Sequence, residues 1–347
     1  MDPNIEIIRY TPDYKDIWNK FVESSKNGTF LFNRGYMDYH ADRFHDFSVL
    51  IYRKGKLYCL LPANIQTSSL RDGEKEKVLY SHQGLTYGGL VMSDKCTAEG
   101  ILQVFDSLLE YLRKEGIKKF IYKPIPYIYQ SLPSEEDLYA LFRHDAKLIV
   151  RNISSTIPLP YQLPLHKDRR EAVRRAQKNG LYVRPSKDFD AFWKILEDNL
   201  MATYKARPVH SLEEMKRLVE IFPENIKLWG SYDENNRMLG GLVGYYTKDC
   251  VHAQYISATP EGKKLGAVDL LINRLMVAPN ILPHEANHYK DLNISEEEID
   301  YDYEPHWLDL GTSNEDGGRI LNESLIYQKE GFGGRAVCYD TYEIQLK

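Results

Sequence analysis

The stretch SLIYQKEGFGGRAVCY, Ser324 to Tyr339, sets Lys329 just ahead of Gly331, Gly333 and Gly334, with Phe332 among them and Arg335 behind. A lysine or arginine beside backbone that lacks side chains can bind a phosphate or polarise a carbonyl. The same residues also suit the end of a helix. Lys329 then satisfies the final carbonyls, and Gly331 or Gly333 forms the left-handed cap. Both readings stand. Upstream, Gly311 follows Asp309 past a strand, and Gly317 and Gly318 permit positive φ before the helix. On VHAQYIS, His252 and Gln254 hold alternate positions, hence one strand face, with Tyr255 on the other. Such a face buries a hydrogen-bonded histidine or lines a cleft where His252 relays a proton.

Three further stretches combine cations with turns or helices. His166–Lys178 holds Lys167, Arg169, Arg170, Arg174, Arg175 and Lys178 against Asp168 and Glu171. Arg170 and Arg174 are i,i+4 neighbours, so one helix face is strongly positive. It is an anion-binding face or a solvated one. TPEGKKLGAVDLL carries Lys263 and Lys264 ahead of Gly266 and Ala267, in a loop between a strand and a helix. MATYKARPVHSLEE sets Tyr204, Lys205, Arg207 and His210 in a loop between helices, and such loops often carry function.

These groups need elements to hold them. IEIIRY reads as a strand, DYKDIWNKFVESS and FLFNRGYMDYHADRF as helices, and FSVLIYRKGKLYCLLPANIQ as a hairpin. TAEGILQVFDSLLEYLRKEGI is a helix, capped by Thr97 and ended at Gly116. In the second half, LYVRPS is a strand, followed by helices DFDAFWKILEDNLMATY and SLEEMKRLVEIF. Ser211 and Glu214 have capping-box spacing. IKLWGSYDENNRMLGGLVGYYTKDCVHAQYISAT is a three-strand meander with turns at Asp233–Asn236 and Thr247–Asp249. GAVDLLINRLMV and RILNESLIYQKEGF are helices, HWLDLG and AVCYDTYEIQL strands. The acidic run NISEEEIDYDYEPHW is expected to be a solvated loop or lid. The order of elements repeats, which implies a duplicated α+β unit. The proline-bearing junction Arg151–Lys167 separates domains 1–150 and 151–347, with the last strand free to pack with the first domain.

The totals bound what such a protein does. The 347 residues exceed one ordinary core. A net charge of −5 gives no global argument for nucleic acid or an anionic membrane. Cys59, Cys96, Cys250 and Cys338 form neither a zinc pattern nor a disulfide framework. The N-terminal sequence lacks the marks of a secretory signal, and no run suits a membrane span, so a cytoplasmic place is expected.

The element order resembles the GNAT acyltransferase fold, and its repetition resembles the Fem-type branch, the aminoacyl transferases of peptidoglycan bridge formation. LHKDRREAVRRAQKNGLYVR, the meander through GAVDLLINRLM, and LDLGTSNEDGGRILNESLIYQKEGFGG carry the likeness. It implies two tandem GNAT-like domains of α+β class, with mixed, mainly antiparallel sheets flanked by helices. It implies an N-acyltransferase that moves an acyl group from an activated donor, acyl-CoA first, to a small-molecule or peptide amine. The alternatives are an aminoacyl-tRNA-dependent transferase acting on a peptidoglycan precursor, with tRNA as partner, or an inactive GNAT-fold binding protein. No metal is implied.

The same likeness assigns roles. Lys263, Lys264, Gly266 and Ala267 stand where GNAT proteins bind the coenzyme A pyrophosphate, although Val268 replaces the usual final Gly or Ala. Arg207 and His210 fall in the acceptor loop, and Arg170 and Arg174 near the cleft between domains. Gln254 would hold the acyl carbonyl, and Tyr204 or Tyr255 would protonate the leaving thiolate. Asp309 would accept a proton from the amine or orient it, beside Lys329 and His252.

Overall fold

The run Ala98–Lys114 shows how sequence becomes structure here. Thr97 Oγ1 accepts from Gly100 N, and Gly116 turns left-handed past the other end with φ 74°. Between these stops Ile101, Val104, Phe105, Leu108 and Leu112 recur at helical spacing and are fully buried. Each fully buried side chain of that size contributes roughly 1.5–3 kcal/mol. The computed structural model describes residues 2–69, 75–277 and 304–346 of the chain. These divide into two units. Met1–Ile153, Asn314–Ile320 and Cys338–Lys347 form one, and Ser154–Ser313 with Leu321–Val337 the other.

The first unit holds β1 (Ile5–Arg9), α1 (Lys15–Ser24), β2 (Val49–Arg53), β3 (Lys56–Leu61), β4 (Asn64–Ser69), β5 (Lys75–Tyr80), α2 (Ala98–Lys114), β6 (Lys119–Tyr122) and α3 (Glu136–Arg143). β1, β2 and β3 pair antiparallel, with the short strand Val91–Met92 beside β3. β4 and β5 form a hairpin, and β6 lies parallel to β5. A parallel pair needs a long crossover, and α2 supplies it. The buried face of α2 packs with Val49, Ile51, Cys59, Leu61, Phe120 and Tyr122 in one core. The stretch FLFNRGYMDYHADRF is not one helix. It forms single turns at Phe30–Phe32, Arg34–Met37 and Asp38–His40. Asn33 interrupts with extended backbone and caps Gly35 N.

The first part of the expected linker Arg151–Lys167 belongs to a strand, β7 (Lys147–Pro158). Its branched residues Ile149, Val150, Ile153, Thr156 and Ile157 favour extension, and the prolines wait at its end. The second unit continues with α4 (Lys167–Lys178), β8 (Tyr182–Ser186), α5 (Phe189–Tyr204), α6 (Leu212–Ile221), β9 (Ile226–Tyr232), β10 (Met238–Tyr246), β11 (Cys250–Ala258), α7 (Pro260–Leu265), α8 (Ala267–Val277), β12 (Trp307–Thr312) and α9 (Glu323–Glu330). The last strand is β13 (Arg335–Gln345). The capping box of Ser211 and Glu214 is present at α6. β8 to β11 run antiparallel in order, β12 joins β11 in parallel, and the end of β7 pairs with β12. α8 is the crossover, burying Leu270, Leu271 and Leu275 in a core with Val173, Leu242, Val251, Leu308 and Phe332.

Two expected loops and helices differ. TPEGKK is the short helix α7, because Thr259 Oγ1 caps Gly262 N and Pro260 takes the first position. The helix after Gly318 covers only Glu323–Glu330, and Ile320–Leu321 is extended. Most of the acidic run NISEEEIDYDYEPHW lies outside the described residues. Among the described residues, no helix is long and apolar enough to cross a membrane.

Candidate active site

β11 and β12 pair only from Cys250 with Trp307 to His252 with Asp309. Past that point β11 carries a bulge. Val243 faces Tyr255 and Gly244 faces Ala253, so Gln254 is the extra residue. The bulge breaks the alternation expected of His252, Gln254 and Tyr255. Beyond the paired segment a cleft of about 890 Å³ opens within the second unit. Its walls include Ala253 and Ile256 of β11, Leu310 of β12, Leu196 of α5, Lys263 of α7 and Lys329 of α9.

At the end of the paired segment stands Asp309, fully buried. Its Oδ1 accepts from Ser154 Oγ, from Thr156 Oγ1 at 3.2 Å and from Gly311 N at 3.1 Å. Its Oδ2 lies 2.8 Å from His252 Nδ1. A carboxylate only accepts, so that ring nitrogen carries a proton and donates it. Strand pairing makes the meeting inevitable, since His252 and Asp309 are register partners.

Lys329 joins the same cluster from α9. Its Nζ donates to the carbonyls of Gly311 and Thr312, each at 2.8 Å. It therefore does not cap its own helix. Gly333 does adopt the left-handed backbone, φ 88°, while Gly331 remains right-handed with φ −60°. Burial pulls the Lys329 ammonium down to about 8, against the opposing pull of Asp309. Gly311 is the hinge of the cluster. Its φ of 78° favours glycine, and a Cβ there would sit 3.7 Å from His252 Cε1. So Asp309, His252 and Lys329 all meet around one glycine.

Other expected residues go elsewhere. The hydroxyl of Tyr255 accepts from His210 N at 3.2 Å and lies 2.6 Å from His210 Nδ1. Burial raises its pKa. That hydroxyl is committed to His210 rather than aimed at a leaving group. Arg207, Arg170 and Arg174 are exposed, and Arg170 Nη1 donates to Leu165 O at 2.7 Å. Tyr204 ends α5, and its side chain lies outside the described residues.

In the segment from Lys263 to Ala267, Lys263 N donates to Thr259 O and Gly266 N to Gly262 O, and just before it Gly262 N donates to Thr259 Oγ1. Lys263 Nζ bonds Asn199 Oδ1, and Lys264 O accepts from Arg175 Nε at 3.0 Å. Ala267 is buried in the core. In the first turn of α8, Asp269 is buried with its Oδ1 2.8 Å from Arg169 Nη1. A carboxylate already occupies the positive end of that helix. Ser154, Thr156, Arg169 and Asp269 were not foreseen as site residues. Hydroxyls on a strand and one charge pair among many carry no local signal of a buried partner.

The fold and the cleft define a class. Residues 166–278 match the family described as an acetyltransferase (GNAT) domain. The chain has the fold of FemX, at 11% identity and TM-score 0.65, over 98% of this chain and 97% of that one. It is also similar to L-PGS from Bacillus licheniformis, at 11% identity and TM-score 0.55, over 96% and 92%. A third similar structure is a conserved protein from Bacteroides thetaiotaomicron, at 12% identity and TM-score 0.53, over 99% and 100%. No curated protein matches the chain. The chain thus carries a GNAT domain match over residues 166–278 and shares its overall fold with FemX.

Proposed function

We propose that the chain joins an acyl group to an amine, with the acyl donor seated in the cleft beside Lys329. The observation that carries this reading is the ammonium of Lys329 in the cleft wall. Three N–H groups are available to it. Two are held by the carbonyls of Gly311 and Thr312, which fixes its position and leaves one for a substrate oxygen.

The chemistry follows from those groups. A neutral amine attacks the acyl carbon, a C–N bond forms, and the bond to the leaving sulfur or oxygen breaks. The carbonyl oxygen gains negative charge during attack, and Lys329 donates to it. His252 Nε2 takes the proton that the amine sheds. Asp309, sealed from solvent, holds the imidazole in the tautomer that can do so. Asp309 is thus a positioning residue in this scheme. The leaving group takes up a proton on departure.

Turnover of a thioester donor across an amine panel tests the reading. Lys329→Ala should lower kcat by about 10²- to 10³-fold, the effect of removing one oxyanion donor. Unchanged turnover in that variant sinks the role. Titration with coenzyme A and a gel shift with tRNA separate the two donor classes raised by the sequence.

A further inference from the structure

The cations of α4 form a feature that this reaction scheme leaves unused. Arg170, Arg174 and Lys178 stand four residues apart on one exposed line, about 12 Å long at 1.5 Å per residue. Arg170, Arg174, Lys178 and Lys264 form no ion pair with a carboxylate among the described residues, while Arg169 is neutralised by Asp168 and Asp269. The same helix lines the cleft on its neighbouring face, through Asp168, Arg169, Glu171, Ala172 and Arg175. It stands out on a chain of net charge −5 and pI about 6.1.

We infer that the acyl donor is a thioester borne by a small acidic carrier protein, which docks its acidic surface on the α4 row and extends its acyl-bearing arm into the cleft. The inference rests on the acyl-transfer reading and names its donor. Three observations favour this partner. In the first turn of α8 the Asp269 carboxylate, paired with Arg169, already occupies the positive end of the helix and disfavours a diphosphate there. A carrier-borne arm has its phosphate at the carrier surface and needs no anion-binding site inside. The cleft wall offers an acyl chain apolar contacts at Leu196, Leu200, Ala253, Ile256, Leu310 and Phe332, among polar residues that include Asn199, Ser257 and Lys329. The row itself is short and the chain acidic, which suits an acidic helix better than the broad basic field that RNA requires. In the transfer, the amine nitrogen replaces the carrier sulfur on the acyl carbon. The amine's proton goes to His252, and the carrier is released as its free thiol after protonation.

The test is calorimetric titration of the full chain with an acidic acyl carrier protein carrying a saturated acyl group on its phosphopantetheine thiol. Saturable binding at low salt, weakened at physiological salt, is expected. Arg174→Glu combined with Lys178→Glu should weaken it by at least about tenfold, as charge reversal does at steered interfaces. Both side chains are exposed and unpaired, so the variant should keep its fold, checked by circular dichroism. Arg174→Lys should retain binding. Absence of binding, equal binding by the double variant, or tight binding of coenzyme A or tRNA in its place overturns the inference. Carrier binding without turnover of any amine supports the docking and sinks the acyl-transfer reading alone. Turnover of an N-acetylcysteamine thioester without carrier binding does the reverse.

Discussion

His252 Nδ1 and Asp309 Oδ2 stand 2.8 Å apart because two strands distant in sequence place them at one register position. The pairing orients the imidazole and leaves the carboxylate with both oxygens engaged. Asp309→Asn keeps the shape but presents an amide to the ring, and the wrong tautomer follows. It should lower kcat by about 10²- to 10⁴-fold with little change in KM, and His252→Ala should do the same. The double variant should be no worse than the singles, read by steady-state kinetics. Additive losses would show that the two residues act independently.

Lys329 donates only while protonated, and burial brings its pKa to about 8. Activity should therefore fall as pH rises through about 8. Lys329→Arg holds its charge far above that range, so whatever activity it retains should lose this basic limb. A pH–rate profile of both proteins decides the matter.

Gly266 joins α7 to α8 at φ 92°, and a Cβ there would meet Ala172 O of α4 at 2.5 Å. Gly266→Ala should therefore part α4 from α8 and lower stability by about 1–3 kcal/mol, from left-handed strain and crowding. Denaturant midpoints measure this. A loss below about 0.5 kcal/mol would mean that the helices shift freely.

In the first unit Asp137 Oδ2 accepts from Tyr122 Oη at 2.6 Å, and that hydroxyl accepts from Leu90 N at 2.7 Å. Burial raises the Asp137 pKa from 3.8 to about 6. The folded chain thus holds a proton that the unfolded chain has lost between those values. Asp137's contribution to stability is complete below pH about 4 and is lost as pH rises through about 6, by roughly 3 kcal/mol for two pKa steps. Asp137→Asn should flatten this part of the stability–pH curve, followed by thermal unfolding.

The sequence was legible where the signal is local. Thr97 and Gly116 bound α2 as expected, Ser211 and Glu214 cap α6, and both meander turns fall in their places. Local readings failed where a neighbour in space decides. Lys329 sits at the end of a helix, where a lysine ordinarily serves its own carbonyls, yet its partners are the carbonyls of Gly311 and Thr312. Gln254 falls out of alternation because β10 and β11 slip by one residue, which periodicity cannot reveal. α7 was missed although Thr259 and Pro260 announce a helix start, because its glycine and two lysines read as a turn. The stretch around Asp309 was singled out by likeness, but Ser154 and Thr156 sit on a strand that prolines disguised as a linker.

The closing strand β13 has a consequence for how the molecule is made. Residues from Cys338 onward belong to the unit that begins at the N-terminus, while Leu321–Val337 belong to the other. During synthesis the early unit must wait for more than two hundred further residues, roughly those between β6 and β13, to leave the ribosome before β6 gains its antiparallel neighbour at Tyr342–Gln345. Its edge remains open until then, so emergence of β13, and not of the first half alone, is the event that completes this pairing.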